Sequence, residues 1–308
     1  MSKDFFSTLV ETLDAHKVCH IAIPIANDEA CAFAVCQAVK MGILKATLIG
    51  NPEEIATMYG DITKHENVRI IDETEEKAAC SIAVKEVKDG RCDILMKGNV
   101  NTSTLLKAVL NSKEGIRKNP ILSHLTFFEL PGKEGLKILT DAAMCIAPDE
   151  DTLQKEIENA SEAFNLFCNR PAKVALLAAN EKVSEKVPST VLASNVSRAM
   201  QNRSDLIVEG PISFDLAVSQ ESAQIKKYKG EIQGDADIFV VPRIETGNAL
   251  YKSLQYYIKA RMGGLVYGAK CAVVLTSRAD DNNTKFNSLL LGIALWQRSC
   301  NARELSHQ

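Results

Sequence analysis

Four short polar stretches, each placed directly after an apolar run, hold residue types suited to handling an anion. Lys97-Gly98-Asn99-Val100-Asn101-Thr102 follows the run Cys92–Met96 and offers a cation, a glycine and side-chain donors. Thr140-Asp141-Ala142-Ala143 follows the run 136–139. Glu245-Thr246-Gly247-Asn248 follows Ile238–Val241, with Tyr251 and Lys252 about one helical turn later. Thr276-Ser277-Arg278-Ala279-Asp280-Asp281 follows 271–275, and its arginine is a rigid fork of donors that matches phosphate oxygens. A hydroxyl beside that arginine could stabilise a second developing charge. Each stretch alone also reads as a capped turn, with Lys252 a solvated surface charge and Asp141 a turn residue. Four of them at the carboxyl ends of strands, where open parallel sheets bind ligands, point to an anion-handling cleft.

The elements that would carry these stretches alternate. Strand-like runs at 20–26, 46–50, 68–72 and 92–99 are separated by helical stretches that start at Asp28, at Asn51-Pro52 and in the acidic segment after residue 72. Such alternation predicts right-handed βαβ units and a parallel sheet. Residues 124–130 and 136–141, with Pro131-Gly132 between them, read as a hairpin. At Pro148 the chain turns acidic and enters one long helix, after which strand-like runs resume at 173–179, 205–210, 236–242, 263–268 and 271–277. Apolar positions at helical spacing predict a helix from Ala249 to Met262, entered through Gly247-Asn248 with its first N–H groups open to an anion. A last helix is predicted at 283–298. The predicted domains are 1–148 plus about 284–308, and 149–283.

With 308 residues, 46% hydrophobic and 24% charged, the chain has the make-up of a two-domain globular protein. A net charge of −3 and no stripe of basic and aromatic residues argue against nucleic acid as a partner. No apolar run is long enough for a membrane helix and the start does not resemble a secretory leader, so a cytoplasmic protein is expected. Nine cysteines, an odd number with no C-x-x-C pair, argue against a disulfide framework or a structural zinc. No histidine-rich cluster declares a metal site, and no G-x-G-x-x-G or Walker motif declares a nucleotide. His124 is the one histidine near a candidate stretch, as a core or supporting residue or as a ligand contact.

These stretches, in this order, resemble the phosphate acetyl/butyryltransferase family over nearly the whole chain. The wording is carried by MKGNVNTSTLLKAVL (96–110), the Leu122-Ser123-His124 region, LTDAAMCIAPDEDTLQKEIENA, VEGPISFDLAVS, GDADIFVVPRIETGNALYKSL and VLTSRAD. A length near 300 and the TDAAM and TSRAD wording resemble the butyryl branch more than the acetyl branch. The resemblance implies two α/β domains with a cleft between them, a fold like the isocitrate and isopropylmalate dehydrogenases, and a homodimer or higher homo-oligomer. It implies transfer of a butanoyl group between coenzyme A and inorganic phosphate, with no tightly bound cofactor and no metal. Phosphate acetyltransferase and a non-catalytic CoA-binding protein are the alternatives.

On that resemblance Arg278 holds phosphate, Ser277 bonds the CoA sulfur, and Asn248 or nearby N–H groups meet the oxyanion. Lys97, Gly98, Asn101, Thr102, Ser123, His124, Asp141, Gly247 and Lys252 would contact substrate. Two departures from the acetyl branch stand out. Thr284 occupies the place of that branch's proposed base, which leaves Asp280 or Glu245 for the task. Its arginine on the helix after the KG loop is absent too, which leaves Lys107 or Arg117 for the CoA phosphates.

Overall fold

The computed structural model describes residues 5–132, 135–277 and 280–306. They fall into two compact units, Met1–Pro120 with Arg261–Gln308, and Ile121–Ala260.

The first unit opens with helix α1 (Phe5–Glu11) and proceeds through β1 (Cys19–Pro24), α2 (Glu29–Lys40), β2 (Leu44–Gly50), α3 (Pro52–Tyr59), β3 (Val68–Asp72), α4 (Glu76–Lys88), β4 (Ile94–Met96) and α5 (Thr102–Val109). Local chemistry sets the helix starts. The Asp28 carboxylate accepts the Cys31 N–H at 2.7 Å at the head of α2. Asn51 accepts the N–H groups of Glu53 and Glu54 in front of α3, where Pro52 takes the position that needs no donor. In the sheet of this unit β1 lies between β2 and β4, all parallel, and β3 extends it beyond β2.

The second unit contains β5 (Ser123–Glu129), β6 (Lys137–Thr140), α6 (Glu150–Cys168), β7 (Ala172–Leu177), α7 (Pro188–Met200), β8 (Leu206–Ile212), α8 (Phe214–Val218), α9 (Gln220–Ile225), β9 (Ile238–Val240) and α10 (Ile244–Ser253). β5 and β6 form the expected antiparallel hairpin, and β6, β9, β7 and β8 follow in that spatial order, all parallel. The chain then returns to the first unit as β10 (Arg261–Tyr267), β11 (Val273–Val274) and α11 (Asn282–Ser306). β11 runs parallel to β4, and β10 runs antiparallel to β11. Leu289, Leu290, Leu291, Ile293, Ala294 and Leu295 of α11 are all buried.

The unit boundaries differ from those expected near Pro148 and residue 283. β6 is in register with β9, Leu139 opposite Phe239, so the hairpin before Pro148 belongs with the elements after it. β11 is in register with β4, Val273 opposite Leu95, so the last strands belong with the first. The change of composition at Pro148 marks the entry to α6, which Asp149 caps by accepting the Thr152 N–H at 2.9 Å. Among the described residues no helix is long and apolar enough to cross a membrane.

Candidate active site

In the first unit the candidate residues gather at the carboxyl ends of β4 and β11. The Lys97 N–H donates to the Val274 carbonyl at 2.9 Å, and the Lys97 side chain turns inward, leaving the residue 7% exposed. Gly98 has no room for a side chain, because a Cβ there would stand 2.3 Å from the Pro24 carbonyl oxygen and 2.5 Å from that of Ile25. The Lys97–Gly98 loop therefore lies directly on the turn that leaves β1, and the Asn99 N–H bonds the Ile25 carbonyl at 2.8 Å. Ser277 is exposed beyond β11, and its backbone N–H donates to Asp280 Oδ2 at 2.7 Å. Asp280 is buried and bonded into that turn, while Asp281 Oδ1 accepts the Thr284 N–H at 2.7 Å at the head of α11. Arg278 lies outside the described residues.

Other residues named from the sequence take different places. Asn101 precedes α5 without capping it by its side chain. Its backbone N–H and side-chain amide bond Glu76 of α4, at 2.7 and 3.2 Å. Thr102 begins α5, and Lys107 and Arg117 are exposed on this unit.

In the second unit Asp141 is the anchor. Only 2% exposed, its carboxylate accepts the His124 N–H at 2.8 Å through one oxygen. The other oxygen accepts the N–H groups of Ala143 and Met144, at 2.7 and 2.8 Å. The start of β5 is thus tied to the turn leaving β6. Ser123, fully buried, accepts a hydrogen bond from the Asn159 amide of α6 at 2.8 Å. The His124 ring meets Tyr251 edge-on, with centroids 6.5 Å apart. Lys252 places its ammonium 4.7 Å from the Tyr251 ring centre and 5.7 Å from that of Tyr256, and bonds Gln255 at 3.1 Å.

The helix after β9 starts earlier and stops sooner than its sequence pattern predicts. α10 begins at Ile244 behind Arg243, so Glu245 is in its first turn while Gly247 and Asn248 are within it. The expected continuation to Met262 is replaced by a π turn at Leu254–Ile258, and Met262 belongs to β10. Tyr257, inside the stretch expected to continue the helix, is 88% exposed. Gly247 is therefore no helix entrance. A Cβ on it would lie 2.3 Å from the Asp141 carbonyl oxygen and 2.9 Å from the Ala142 Cα, so the glycine lets α10 sit on the turn that Asp141 organises. Gly247→Ala is expected to destabilise the protein by about 2–3 kcal/mol through this clash. A urea midpoint equal to that of the parent would contradict the packing argument. Glu245 and Asn248 stay exposed on this seated helix.

Beneath the same turn lies a group that no motif in the sequence marks. Glu156 of α6 is fully buried, with the Cys145 thiol beside its carboxyl as a hydrogen-bonding group. Burial pushes its pKa up to about 8; the adjacent Cys145 thiol works against that shift and the charge of Asp141 adds to it. Burial and the same carboxyl hold the Cys145 thiol protonated far above the ordinary thiol range. Cys145 is thus no thiolate nucleophile. All nine cysteines are free.

Both units thus carry polar and charged side chains at the carboxyl ends of strands, where open α/β sheets bind ligands. The comparisons give the particular family. Residues 62–293 match the family model of the phosphate acetyl/butaryl transferases. A probable phosphate butyryltransferase of Bacillus subtilis (strain 168) is 38% identical over 97% of this chain and 98% of its own. A phosphate acetyltransferase of Thermotoga maritima is 35% identical over 88% of this chain and 93% of its own. Among solved structures, a branched-chain phosphotransacylase from Enterococcus faecalis V583 aligns with a TM-score of 0.83 at 37% identity, covering 91% of this chain and 99% of that one. A 4-hydroxythreonine-4-phosphate dehydrogenase from Klebsiella pneumoniae, 10% identical, shares the fold with a TM-score of 0.57 over 91% of this chain and 100% of its own. The chain belongs to the phosphate acetyl/butyryltransferase family and is a phosphate acyltransferase.

Proposed function

We propose that the protein moves a short-chain acyl group, butanoyl in preference to acetyl, between coenzyme A and inorganic phosphate. The observation that supports the butanoyl preference is the end-to-end similarity to the probable phosphate butyryltransferase of Bacillus subtilis, 38% identical over 302 residues. Thr284, on α11 with its N–H bonded to Asp281, takes the place that the resemblance gives to the acetyl branch's proposed base, which leaves that task to another carboxylate.

A phosphate oxygen attacks the thioester carbonyl carbon, the C–O bond forms, and the tetrahedral intermediate collapses with cleavage of the C–S bond. The electron pair leaves on the CoA sulfur. Phosphate is already an anionic nucleophile at neutral pH, so the step needs alignment and charge neutralisation more than a base. Arg278 holds the phosphate, and the exposed Ser277 hydroxyl donates to the departing sulfur. Asn248 or neighbouring N–H groups receive the oxyanion. In the reverse direction a carboxylate takes the thiol proton. Asp280 is buried and bonded into its turn while Glu245 is exposed on the first turn of α10, and that difference in access favours Glu245 for the task. Lys97, next to the β11 turn, supplies a fixed positive charge for the anionic reactants. Lys107 and Arg117, exposed on the first unit, are assigned to the CoA phosphates.

The deciding experiment follows free thiol released from acetyl-CoA, propionyl-CoA and butanoyl-CoA with and without phosphate. Release that requires phosphate and is fastest with butanoyl-CoA is the expected result, and Arg278→Ala should lower it about 100-fold or more while the protein stays folded. Faster release from acetyl-CoA would overturn the acyl preference. No phosphate-dependent release from any of the three would overturn the reaction.

A further inference from the structure

Asp28 and Lys285 are 257 positions apart in the chain, yet Lys285 Nζ lies 2.6 Å from Asp28 Oδ1. The lysine side chain is only 5% exposed and the aspartate 20%. Asp28 is already in use, since the same oxygen accepts the Cys31 N–H at the head of α2. Cys31, fully enclosed, feels the charges of Asp28, Lys285 and Lys97 together, which places all three around one buried thiol.

A buried ammonium group is costly, and an apolar pair of similar volume would pack α11 against α2 at least as well. The location supplies the reason for the charges. The turn bearing Ser277 has two supports. At one end it leaves β11, whose Val274 carbonyl is bonded to the Lys97 N–H. At the other it enters α11, where the Lys285 N–H closes the first turn on the Asp281 carbonyl at 3.1 Å and the Lys285 side chain reaches Asp28. Asp28 ends the turn from β1 on which Gly98 is seated. The ion pair therefore closes a ring of contacts: the Lys97–Gly98 loop, the turn after β1, the head of α11 and the Ser277 turn.

We infer that the Asp28–Lys285 pair is a positioning element of the acyl-transfer site, fixing the Ser277 turn relative to the Lys97–Gly98 loop. Neither side chain is assigned to the reacting atoms. The catalytic half of this inference rests on the acyl-transfer reading; the structural half does not.

The test compares the full-length protein with Lys285→Met, Lys285→Arg and the double variant Asp28→Asn with Lys285→Met. Two readouts are taken: steady-state acyl transfer, and backbone hydrogen exchange of the peptides that contain residues 24–31 and 280–285. Lys285→Met is expected to lower kcat at least 10-fold with a smaller change in KM, and to speed exchange in those two peptides about 10-fold while distant peptides are unaffected. Lys285→Arg keeps the charge and should recover kcat to within about 3-fold of the parent. The double variant, with no unpaired buried charge, should regain the parent's thermal stability without its kcat. Activity that returns together with stability in the double variant would reduce the pair to a plain fold contact and overturn the inference. Unchanged exchange in Lys285→Met would overturn it as well, including in a protein whose parent form shows no acyl transfer, an outcome that by itself sinks only the acyl-transfer reading.

Discussion

Asp141→Ala should be among the most damaging single substitutions in the protein, lowering stability by about 4–5 kcal/mol and abolishing most activity with it. The carboxylate accepts three backbone N–H groups, from His124, Ala143 and Met144, and the residue is 2% exposed. Hydrogen bonds to a charged acceptor are each worth roughly 1.5–3 kcal/mol, and a buried donor left without one costs about 1–3 kcal/mol. Water does not readily replace an acceptor in so enclosed a place. The loss would spread, since Gly247 seats α10 on the Asp141 carbonyl and Ala142. The opening of α10, with Glu245 in its first turn and Asn248 just beyond it, thus depends on a turn that Asp141 holds. Asp141→Asn keeps one good acceptor and replaces the other oxygen with an amide that faces N–H donors, so it should fall about midway. Urea unfolding of the three proteins gives the ranking, and an Asp141→Ala midpoint within error of the parent would refute the anchoring role.

The contrast between Asp141 and Gly247 shows what the sequence discloses. Asp141 was legible as a strand-end polar residue, because the apolar run before it marks the strand and its carboxyl end is where ligands bind. Its use of both oxygens on backbone N–H groups from two different elements was not, since His124 is 17 positions away. The sequence pattern opens the helix at Gly247-Asn248. The actual start lies behind Arg243, which caps nothing with its side chain, so no Ser, Thr, Asp or Asn marked the spot. The glycine answers to a tertiary constraint, the close approach of α10 to another turn, and such a constraint leaves no local pattern. The same holds for β10 and β11. Both are apolar runs, and their antiparallel pairing depends on β4 beside β11 and not on their own composition. Lys285 carries a similar lesson from the first unit. In sequence it is one lysine in the polar opening of a helix, and its buried partner is set by the packing of α11 on α2.

Glu156 belongs with these, hidden in an acidic helix whose other carboxylates face water, and it carries the second large prediction. Its folded-state pKa of about 8 stands above the ordinary 4.5 of a glutamate. An acid whose pKa is raised by folding holds its proton more tightly in the native state than in the unfolded chain. The stability it permits is complete below pH 4.5 and is lost as pH rises to about 8, where the native protein too must accept the buried charge. Between pH 5.5 and 8.5 the loss amounts to roughly 3 kcal/mol, from about 1.4 kcal/mol per pH unit until the native group ionises. The groups facing the carboxyl are the Cys145 thiol, which stays protonated throughout this range, and Asp141, whose charge opposes a second one nearby. Glu156→Gln preserves the volume and cannot ionise. It should match the parent near pH 5 and exceed it progressively above pH 6, so that the difference in urea midpoint grows with pH. Other titrations, such as that of His20, whose pKa burial lowers, are common to both proteins and cancel in that difference. A difference that is flat from pH 5.5 to 8.5 would mean that the carboxyl is already ionised in the native protein as it is in the unfolded chain, and that folding does not raise its pKa. A growing one would tie the alkaline limit of the protein to a single proton under the turn that Asp141 anchors.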